Sequence, residues 1–247
     1  MFFVPYVPFV AIPLWINRRG IIVNSAGGPM SSQFVEELEQ FITGKLSTLD
    51  LIKEMPIGAV DRSEIVRRLK MALKNELEAS EIAAVWMPTT PEVEVKLALA
   101  RQVGDEAKHY KLIEDHLAKI GVDLSGFNPA ADGYGPMFQL LAGFKTTVER
   151  IGAAQFTRES LALKKNAQFI EFCETAGDHA TAKLYREQIQ PDEEWHVHLG
   201  RTVLAKYANN PELQAQARNA VEAVLDLAVK IQNKQLKEMK VSHAPGC

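Results

Sequence analysis

Apolar residues recur every three or four positions along nearly the whole chain from Ser31 onward, which is the spacing of one face of an α-helix. No apolar run alternates with a period of two over a convincing length, so no β-sheet is predicted. Irregular stretches divide the pattern into helices at about 31–55, 61–86, 91–120, 137–175, 178–207 and 211–240. The sequence therefore predicts an all-α protein.

The helix boundaries carry residues that satisfy the unpaired backbone groups of helix ends. The predicted starts are Asp61 with Glu64 as a capping box, Thr90 followed by Pro91, Asp178, and Asn210 followed by Pro211, and Gly121 is a predicted end. Pro191 lies inside the predicted helix 178–207, where it removes one backbone donor and favours a kink.

The connections between the four central helices are short, long and short. The first pair is joined by MPTTP and the second by TAGD, so each pair is predicted to form an antiparallel hairpin. The segment 121–136 is rich in Gly and Pro and can extend over roughly 50 Å, the length of one helix. The sequence therefore predicts a four-helix bundle over 61–207 whose hairpins are joined by a long crossover, with an extra helix on either side.

The chain has 247 residues, and we expect residues 31–247 to form a single helical domain. Residues 1–30 contain the apolar run FFVPYVPFVAIPLWI, whose prolines argue against a spanning helix. No basic region precedes this run, as one would in a signal peptide. A docked extended arm, a true start at Met30 and a membrane contact are the three interpretations of this segment.

Charge and cysteine content narrow the function classes. A formal net charge of −3 gives no reason to expect nucleic acid as a partner. Cys173 and Cys247 make no disulfide framework, which fits a reducing, cytoplasmic compartment. The chain has no Gly-rich phosphate loop, so a self-contained flavin or nicotinamide enzyme is not expected.

Asp-Glu-x-x-His occurs twice, as DEAKH at 105–109 and as DEEWH at 192–196. On a helix, Glu106 points the same way as His109, and Glu193 the same way as His196. A carboxylate beside an imidazole is half of a transition-metal site, so the two motifs together predict a whole one. Solvated pairs on helix surfaces are the alternative interpretation.

Two further carboxylates are needed, one from each remaining helix, and Glu76 and Glu159 are the candidates. In an antiparallel hairpin, residues at one height lie equally far from the turn. The midpoint of 76 and 106 is residue 91, and that of 159 and 193 is residue 176, both inside predicted breaks. Both glutamates also interrupt buried stripes, where an unpaired carboxylate is costly, whereas Glu78 has polar neighbours along its helix.

Charge balance favours two metal ions in this site. Four carboxylates would be balanced by two divalent cations, and mixed oxygen and imidazole ligands suit iron or manganese better than structural zinc. The expected ligands are Glu76, Glu106 and His109 for one metal and Glu159, Glu193 and His196 for the other, with some of the glutamates bridging. Asp105 and Asp192 are expected to accept hydrogen bonds from the free ring N–H groups of the histidines.

This ligand pattern, over about residues 61–205, resembles the ferritin-like diiron-carboxylate oxygenases and oxidases. The doubled motif looks like the oxygenase branch: bacterial multicomponent monooxygenases, arylamine N-oxygenases and the catalytic subunit of the phenylacetyl-CoA epoxidase. The resemblance implies a ferritin-like bundle with two iron ions, or manganese, or a mixed pair, that uses O₂ to hydroxylate, epoxidise or N-oxidise a small organic substrate. Ala83 departs from ferritins and rubrerythrins, which often have a Tyr at that position.

No Cys-x-x-Cys pair is available for a rubredoxin-type iron, so electrons are expected from outside the chain. The expected partners are O₂, a small-molecule substrate and an external electron donor or reductase, with a homodimer possible. A rubrerythrin-like peroxidase or iron-handling protein, and a non-catalytic binding subunit of an oxygenase complex, are the alternatives.

Several residues near the ligands are candidates for a substrate pocket. Two are polar and lie one turn before a ligand glutamate, and four have small side chains that leave room. These candidates are Gln102, Gln155, Ala79, Ala83, Gly152 and Ala162. Tyr110 and Trp195 lie beside ligands, where aromatic packing is expected and electron transfer is the alternative.

Overall fold

The computed structural model describes residues 29–49 and 62–237, and within these ranges the chain is helical with no strand, as predicted. The helices are α1 Pro29–Leu49, α2 Arg62–Trp86, α3 Val93–Lys119, α4 Pro136–Ala142, α5 Thr147–Ile151, α6 Glu159–Thr175, α7 His179–Leu184, α8 Gln190–Tyr207 and α9 Pro211–Lys237. A 3₁₀ turn covers Met87–Thr89, and π-helical segments cover Gly152–Arg158 and Tyr185–Ile189. Some sequence predictions lie outside the described residues. They are those for residues 1–28 of the N-terminal arm, for Asp61, and for residues 50–55 and 238–240.

The first hairpin is formed by α2 and α3, which run antiparallel. The Arg62 guanidinium donates to the carbonyl of Ile120 at the open end, and Ser80 Oγ donates to the carbonyl of Val103 at 3.1 Å near the turn. Both pairs place the turn at about residue 91, as the sequence predicted. The prediction of Thr90 as N-cap is wrong.

Thr90 turns back toward the preceding helix instead of capping the next one. It is buried, and its hydroxyl donates to the carbonyl of Trp86 at 2.9 Å. The N-cap of α3 is Glu92, whose side chain makes no capping hydrogen bond.

The crossover between the hairpins runs alongside α2, from near its N-terminal part toward its C-terminal end. Phe127 lies under the Lys70 ammonium at 5.6 Å, and two turns further along α2 the Gly135 N–H donates to Glu78 at 2.8 Å. The segment therefore returns from the open end of the first hairpin toward its turn, as predicted. Gly121 ends the first hairpin with a φ of 80°, a left-handed conformation that favours glycine.

The predicted helix 137–175 is interrupted, which corrects the sequence analysis. The short helix α4 ends at Ala142, and α5 begins after Thr146 with a capping box. The Glu149 carboxylate accepts from the Thr146 N–H at 2.8 Å, and the Thr146 hydroxyl accepts from the Glu149 N–H at 3.4 Å. The Thr-x-x-Glu spacing is a capping-box signal that could have located this break.

The second hairpin pairs the helix through α5 and α6 with the helix through α7 and α8. Gln190 donates its amide to the carbonyl of Leu163 at 3.2 Å, and Phe169 contacts Tyr185 edge-on at 5.0 Å between centroids. These pairs place the turn near residue 176, as predicted. Asp178 caps α7, because its carboxylate accepts from the Thr181 N–H at 3.0 Å.

Two π-helical segments lie in the second hairpin, and neither was predicted from the sequence. Gly152–Arg158 ends directly before Glu159, and Tyr185–Ile189 ends two residues before Pro191. Proline lacks the N–H that would bond to the carbonyl four residues earlier, so a widened turn before Pro191 has a local cause. The predicted continuous helix 178–207 is therefore helical throughout but changes its winding ahead of the proline.

The outer helices α1 and α9 cover the second hairpin. The apolar face of α1, with Phe34, Leu38 and Ile42 at most 5% exposed, packs on α8 and α9. In turn, α9 packs on α5 and the first π-helical segment.

Gly200 in α8 brings two backbones into close contact. A Cβ at this position would lie 2.7 Å from the backbone nitrogen of Phe156 in the π-helical segment. Backbone atoms cannot move aside as a flexible side chain can, so only glycine fits here.

Gly200→Ala is expected to lower the free energy of unfolding by about 1–3 kcal/mol, because α8 must move away from the π-helical segment. The matched control is Gly104→Ala on the exposed face of α3, where an added Cβ meets nothing within 4 Å. That change is expected to stabilise by about 0.4–1 kcal/mol. Chemical denaturation of both variants measures the difference, and equal effects would contradict the close approach.

Candidate metal centre

Six predicted ligands converge at the centre of the bundle. They come from α2, α3, the start of α6 and α8, and each is 0% exposed: Glu76, Glu106, His109, Glu159, Glu193 and His196. The convergence follows from the two hairpins, since each hairpin places the candidate ligands of its two helices at the same height along the bundle.

The six residues form two overlapping groups. One contains Glu76, Glu106, His109 and Glu193, the other Glu106, Glu159, Glu193 and His196, and in each the candidate ligand atoms lie within 4.8 Å of one another. Glu106 and Glu193, the glutamates of the two repeated motifs, belong to both groups. Each group has one imidazole and one carboxylate of its own.

Both histidines direct Nδ1 toward the carboxylates. His109 Nδ1 lies 3.3 Å from Glu106 Oε2 and 3.5 Å from Glu76 Oε2. His196 Nδ1 lies 3.0 Å from Glu193 Oε2 and 3.6 Å from Glu106 Oε1. Nδ1 is therefore the ring nitrogen that each histidine would offer to a metal ion.

The aspartates of the motifs are exchanged between them. His109 Nε2 lies 3.3 Å from Asp192 Oδ2, and His196 Nε2 lies 3.4 Å from Asp105 Oδ2. Each aspartate therefore faces the histidine of the other motif. A carboxylate at Nε2 holds the proton there and leaves Nδ1 free to bind metal, which gives the aspartate in each motif a function.

Basic residues that the sequence analysis did not single out flank the aspartates on the outer side. Lys108 forms an ion pair with Asp192, and Arg101 with Asp105 at 3.2 Å. The Arg101 guanidinium also stacks 3.5 Å above the ring of Trp195, which is half-buried and lies 5.6 Å from the His196 ring. Arg101 precedes Asp105 by four residues, a helical ion-pair spacing that could have identified it.

Two buried glutamines form a hydrogen-bonded chain that ends at the carboxylates. The Gln102 amide donates to Glu106 Oε1 at 3.2 Å and to Glu159 Oε1 at 2.8 Å. Gln155, in the π-helical segment, donates in turn to the Gln102 oxygen. Both side chains are 1% exposed.

The small residues expected near the ligands divide into two sets. Ala79, Ala83 and Ala162 are buried in the bundle, one or two turns from a ligand glutamate. Gly152 instead faces α9, where an added Cβ would lie 3.3 Å from the carbonyl oxygen of Ala217. The structure therefore explains Gly152 by helix packing and not by room beside the ligands.

Arg158 is a buried charge that the sequence analysis missed. It is 4% exposed and its guanidinium lies 3.8 Å from Glu159 Oε1. It supplies positive charge beside Glu159, whose helix, like that of Glu76, carries no motif histidine.

Burial changes the proton affinity of the carboxylates. It raises the pKa of Glu76 to about 8 and that of Glu159 to about 7, and neighbouring carboxylates add to both shifts. Burial also acts to raise the pKa of Glu106, but the hydrogen bond to His109 and the charges of both histidines outweigh it and hold that pKa below its usual range.

The pKa values of both imidazoles are also raised, although burial acts in the opposite direction on a histidine. Burial acts to lower the pKa of His109, but its contacts with Asp192, Glu106 and Glu76 raise it well above the usual value. The pKa of His196 is likewise raised by Asp105 and Glu193 against the effect of burial. Without metal, protons bound to the glutamates and histidines therefore supply part of the positive charge that the cluster requires.

The cluster can hold a metal ion. Both carboxylate oxygens of Glu76 are buried without a hydrogen-bond partner among the described residues, and a cation would satisfy them. Carboxylates and imidazoles are suitable ligands for iron and manganese.

No protein-family model, curated protein or solved structure matches this chain, so the resemblance to ferritin-like proteins rests on the motifs and their spacing. Among the described residues, no helix has the length and apolar character needed to cross a membrane.

The metal-free protein is expected to lose stability as the pH rises from about 5 to 8. Glu76, Glu159 and both histidines bind protons more tightly when folded than when unfolded, because their folded pKa values are raised. Their contribution is therefore present at low pH and is lost as the pH rises through the folded pKa values. Chemical denaturation at several pH values measures this slope.

Glu76→Gln is the matched variant, because its amide does not titrate and the slope should become flatter. Saturating divalent metal should reverse the trend, since metal replaces protons and binds more tightly at high pH. A metal-free stability that is independent of pH in both proteins would contradict the raised pKa values.

Asp192→Ala is expected to weaken metal binding roughly 10- to 100-fold by releasing the Nε2–H of His109. Because the aspartates are exchanged, this effect should be small in a His109→Ala background and retained in a His196→Ala background. Calorimetric titration with Mn²⁺ measures both cycles. Asp226→Ala, on the exposed side of α9, is the control, and the reverse pattern of coupling would contradict the exchange.

Proposed function

We propose that this chain is a non-haem diiron oxidase or oxygenase that oxidises a small organic substrate with O₂. The observation that supports this most directly is that Glu106 and Glu193 belong to both ligand groups, so that two cations would share them. Shared carboxylates hold two metal ions close together, as a reaction that needs both ions requires.

The charge and chemistry of the ligands support two divalent ions. Four buried glutamates carry up to four negative charges, which two divalent cations would balance. Oxygen and imidazole ligands without cysteine favour iron or manganese over structural zinc. When bound, two iron ions would supply the electrons and Lewis acidity for O₂ reduction and for hydroxylation, epoxidation or N-oxidation of the substrate.

The protein's own part is to bind and orient the metals and to keep water away. Apolar layers lie on both sides of the ligands along the bundle, with Ile82 and Phe156 on one side and Leu73 and Ile113 on the other. Asp192 holds the proton of His109 at Nε2, where it does not compete with the metal. In such a dry site the fixed charges act more strongly than they would in water.

The surroundings also fit a substrate and an external electron donor. Ala79, Ala83 and Ala162 keep the bundle interior near the ligands lined by small side chains. The chain has no Cys-x-x-Cys pair, so the electrons come from a separate donor or reductase. Trp195, half-buried and 5.6 Å from the His196 ring, gives such a donor a short route from the surface.

Metal analysis is the first test of this proposal. Protein purified without chelator and reconstituted with iron is expected to bind two iron ions per chain, and His109→Ala and His196→Ala are expected to bind fewer and to melt at lower temperature. Less than half an equivalent of iron in the unaltered protein would refute the proposal and favour a non-catalytic subunit.

Rapid mixing of the reduced protein with O₂, and separately with H₂O₂, tests the reaction. An oxygenase is expected to react quickly with O₂, with an absorbance change whose decay accelerates with one member of a panel of arylamines, aldehydes and acyl-CoA esters. Fast oxidation by H₂O₂, slow reaction with O₂ and no effect of any panel member would instead indicate a rubrerythrin-like peroxidase or iron-handling protein.

A further inference from the structure

The two buried glutamines beside the ligands have fixed amide orientations. Glu106 and Glu159 both present carboxylate oxygens to the Gln102 amide, at 3.2 and 2.8 Å. A metal-binding carboxylate accepts hydrogen bonds and does not donate them, so the NH₂ group of Gln102 must face the carboxylates. The Gln102 oxygen therefore points away from them and acts as an acceptor.

This orientation determines that of Gln155. The Gln155 amide nitrogen donates to the Gln102 oxygen, and a flipped Gln155 would place two carbonyl oxygens against each other. Gln155 therefore cannot exchange the positions of its nitrogen and oxygen while the metal site is intact. Its Oε1 is fixed as an acceptor.

The fixed oxygen is buried and lacks a partner. Gln155 is 1% exposed, and its Oε1 has no hydrogen-bond partner among the described residues. A buried acceptor without a donor costs free energy, and a ligand that supplies the donor recovers it. The Gln155 amide is joined to the ligand glutamates Glu106 and Glu159 through one hydrogen-bonded side chain, that of Gln102.

We propose that Gln155 is a specificity-determining residue whose Oε1 accepts a hydrogen bond from an uncharged N–H or O–H group of the substrate. The inference rests on the proposed function and narrows its substrate class to small amines and alcohols or phenols. An uncharged group is required because the two metal ions already balance the four carboxylates, and Arg158 adds a further positive charge beside Glu159. A hydrocarbon of the same shape would leave the acceptor unpaired.

Binding of aniline, phenol and toluene to the Mn²⁺-loaded protein tests this proposal without turnover. The three probes have nearly the same size, but only aniline and phenol carry a donor. We expect aniline and phenol to bind about tenfold more tightly than toluene, the effect of one buried hydrogen bond. Isothermal titration calorimetry measures the dissociation constants.

The Gln155→Met variant keeps the length of the side chain and removes both polar groups. The ratio of toluene to aniline dissociation constants is expected to fall from about ten to about one in this variant. Gln139→Met, on the exposed face of α4, is the control and should keep the ratio of the unaltered protein. A purely structural role of Gln155 would change all three affinities together and leave the ratio intact.

Three outcomes of these titrations would contradict the role of Gln155. Equal affinity of the unaltered protein for aniline and toluene, no binding of any probe, or an unchanged ratio in Gln155→Met would overturn the inference. If two Mn²⁺ ions still bind in those cases, the proposed function stands and only the role of Gln155 is lost. Failure to bind metal at all would refute the proposed function itself.

Discussion

The mutual repulsion of four carboxylates at the centre of the bundle is the constraint on which this structure depends. Glu76, Glu106, Glu159 and Glu193 are all 0% exposed, and a buried charge without a partner is among the most destabilising features a protein can carry. The helices tolerate the cluster because protons on the histidines and carboxyl groups, or metal ions in place of those protons, supply the missing positive charge. The Gln102 amide adds hydrogen bonds to two of the carboxylates. The raised pKa values of Glu76 and Glu159 express the same requirement in the metal-free chain.

The sequence predicted which residues converge at the centre of the bundle, because an antiparallel hairpin converts spacing along the chain into height in the bundle. Glu76 meets Glu106, and Glu159 meets Glu193, because each pair lies equally far from a break at 91 or 176. The heights of these residues depend only on the positions of the turns. They are unaffected by an error of one or two residues in a helix start, such as the prediction of Thr90 in place of Glu92.

The prediction that placed Gly152 on the ligand face of its helix failed, and the π-helical segment before Glu159 gives the physical reason. A π turn adds a residue to a helical turn, so residues before it are rotated by about 100° relative to a continuous α-helix. Gly152 was placed beside the ligands by counting back from Glu159 at α-helical spacing, but the segment Gly152–Arg158 intervenes and Gly152 faces α9. The close contact of Gly200 with this segment joins residues far apart in the chain, and a single sequence gives no local signal for it. The Thr146–Glu149 capping box, in contrast, is local and was predictable.

The repeated motif makes the two halves of the site similar, and its surroundings make them different. Lys108 and Trp195 hold equivalent positions, each directly before the histidine of its motif, yet one is a cation paired to Asp192 and the other an aromatic ring under Arg101. Glu159 has Gln102 as a hydrogen-bond donor and Arg158 nearby, whereas the oxygens of Glu76 lack a hydrogen-bond partner among the described residues. The charge of Arg158 acts to lower the pKa of Glu159 against the effect of burial, which favours the carboxylate form that a metal ion would bind in that half. Two cations held by the same kinds of ligand would thus experience different fields, because the sequence repeats the ligands without repeating their neighbours.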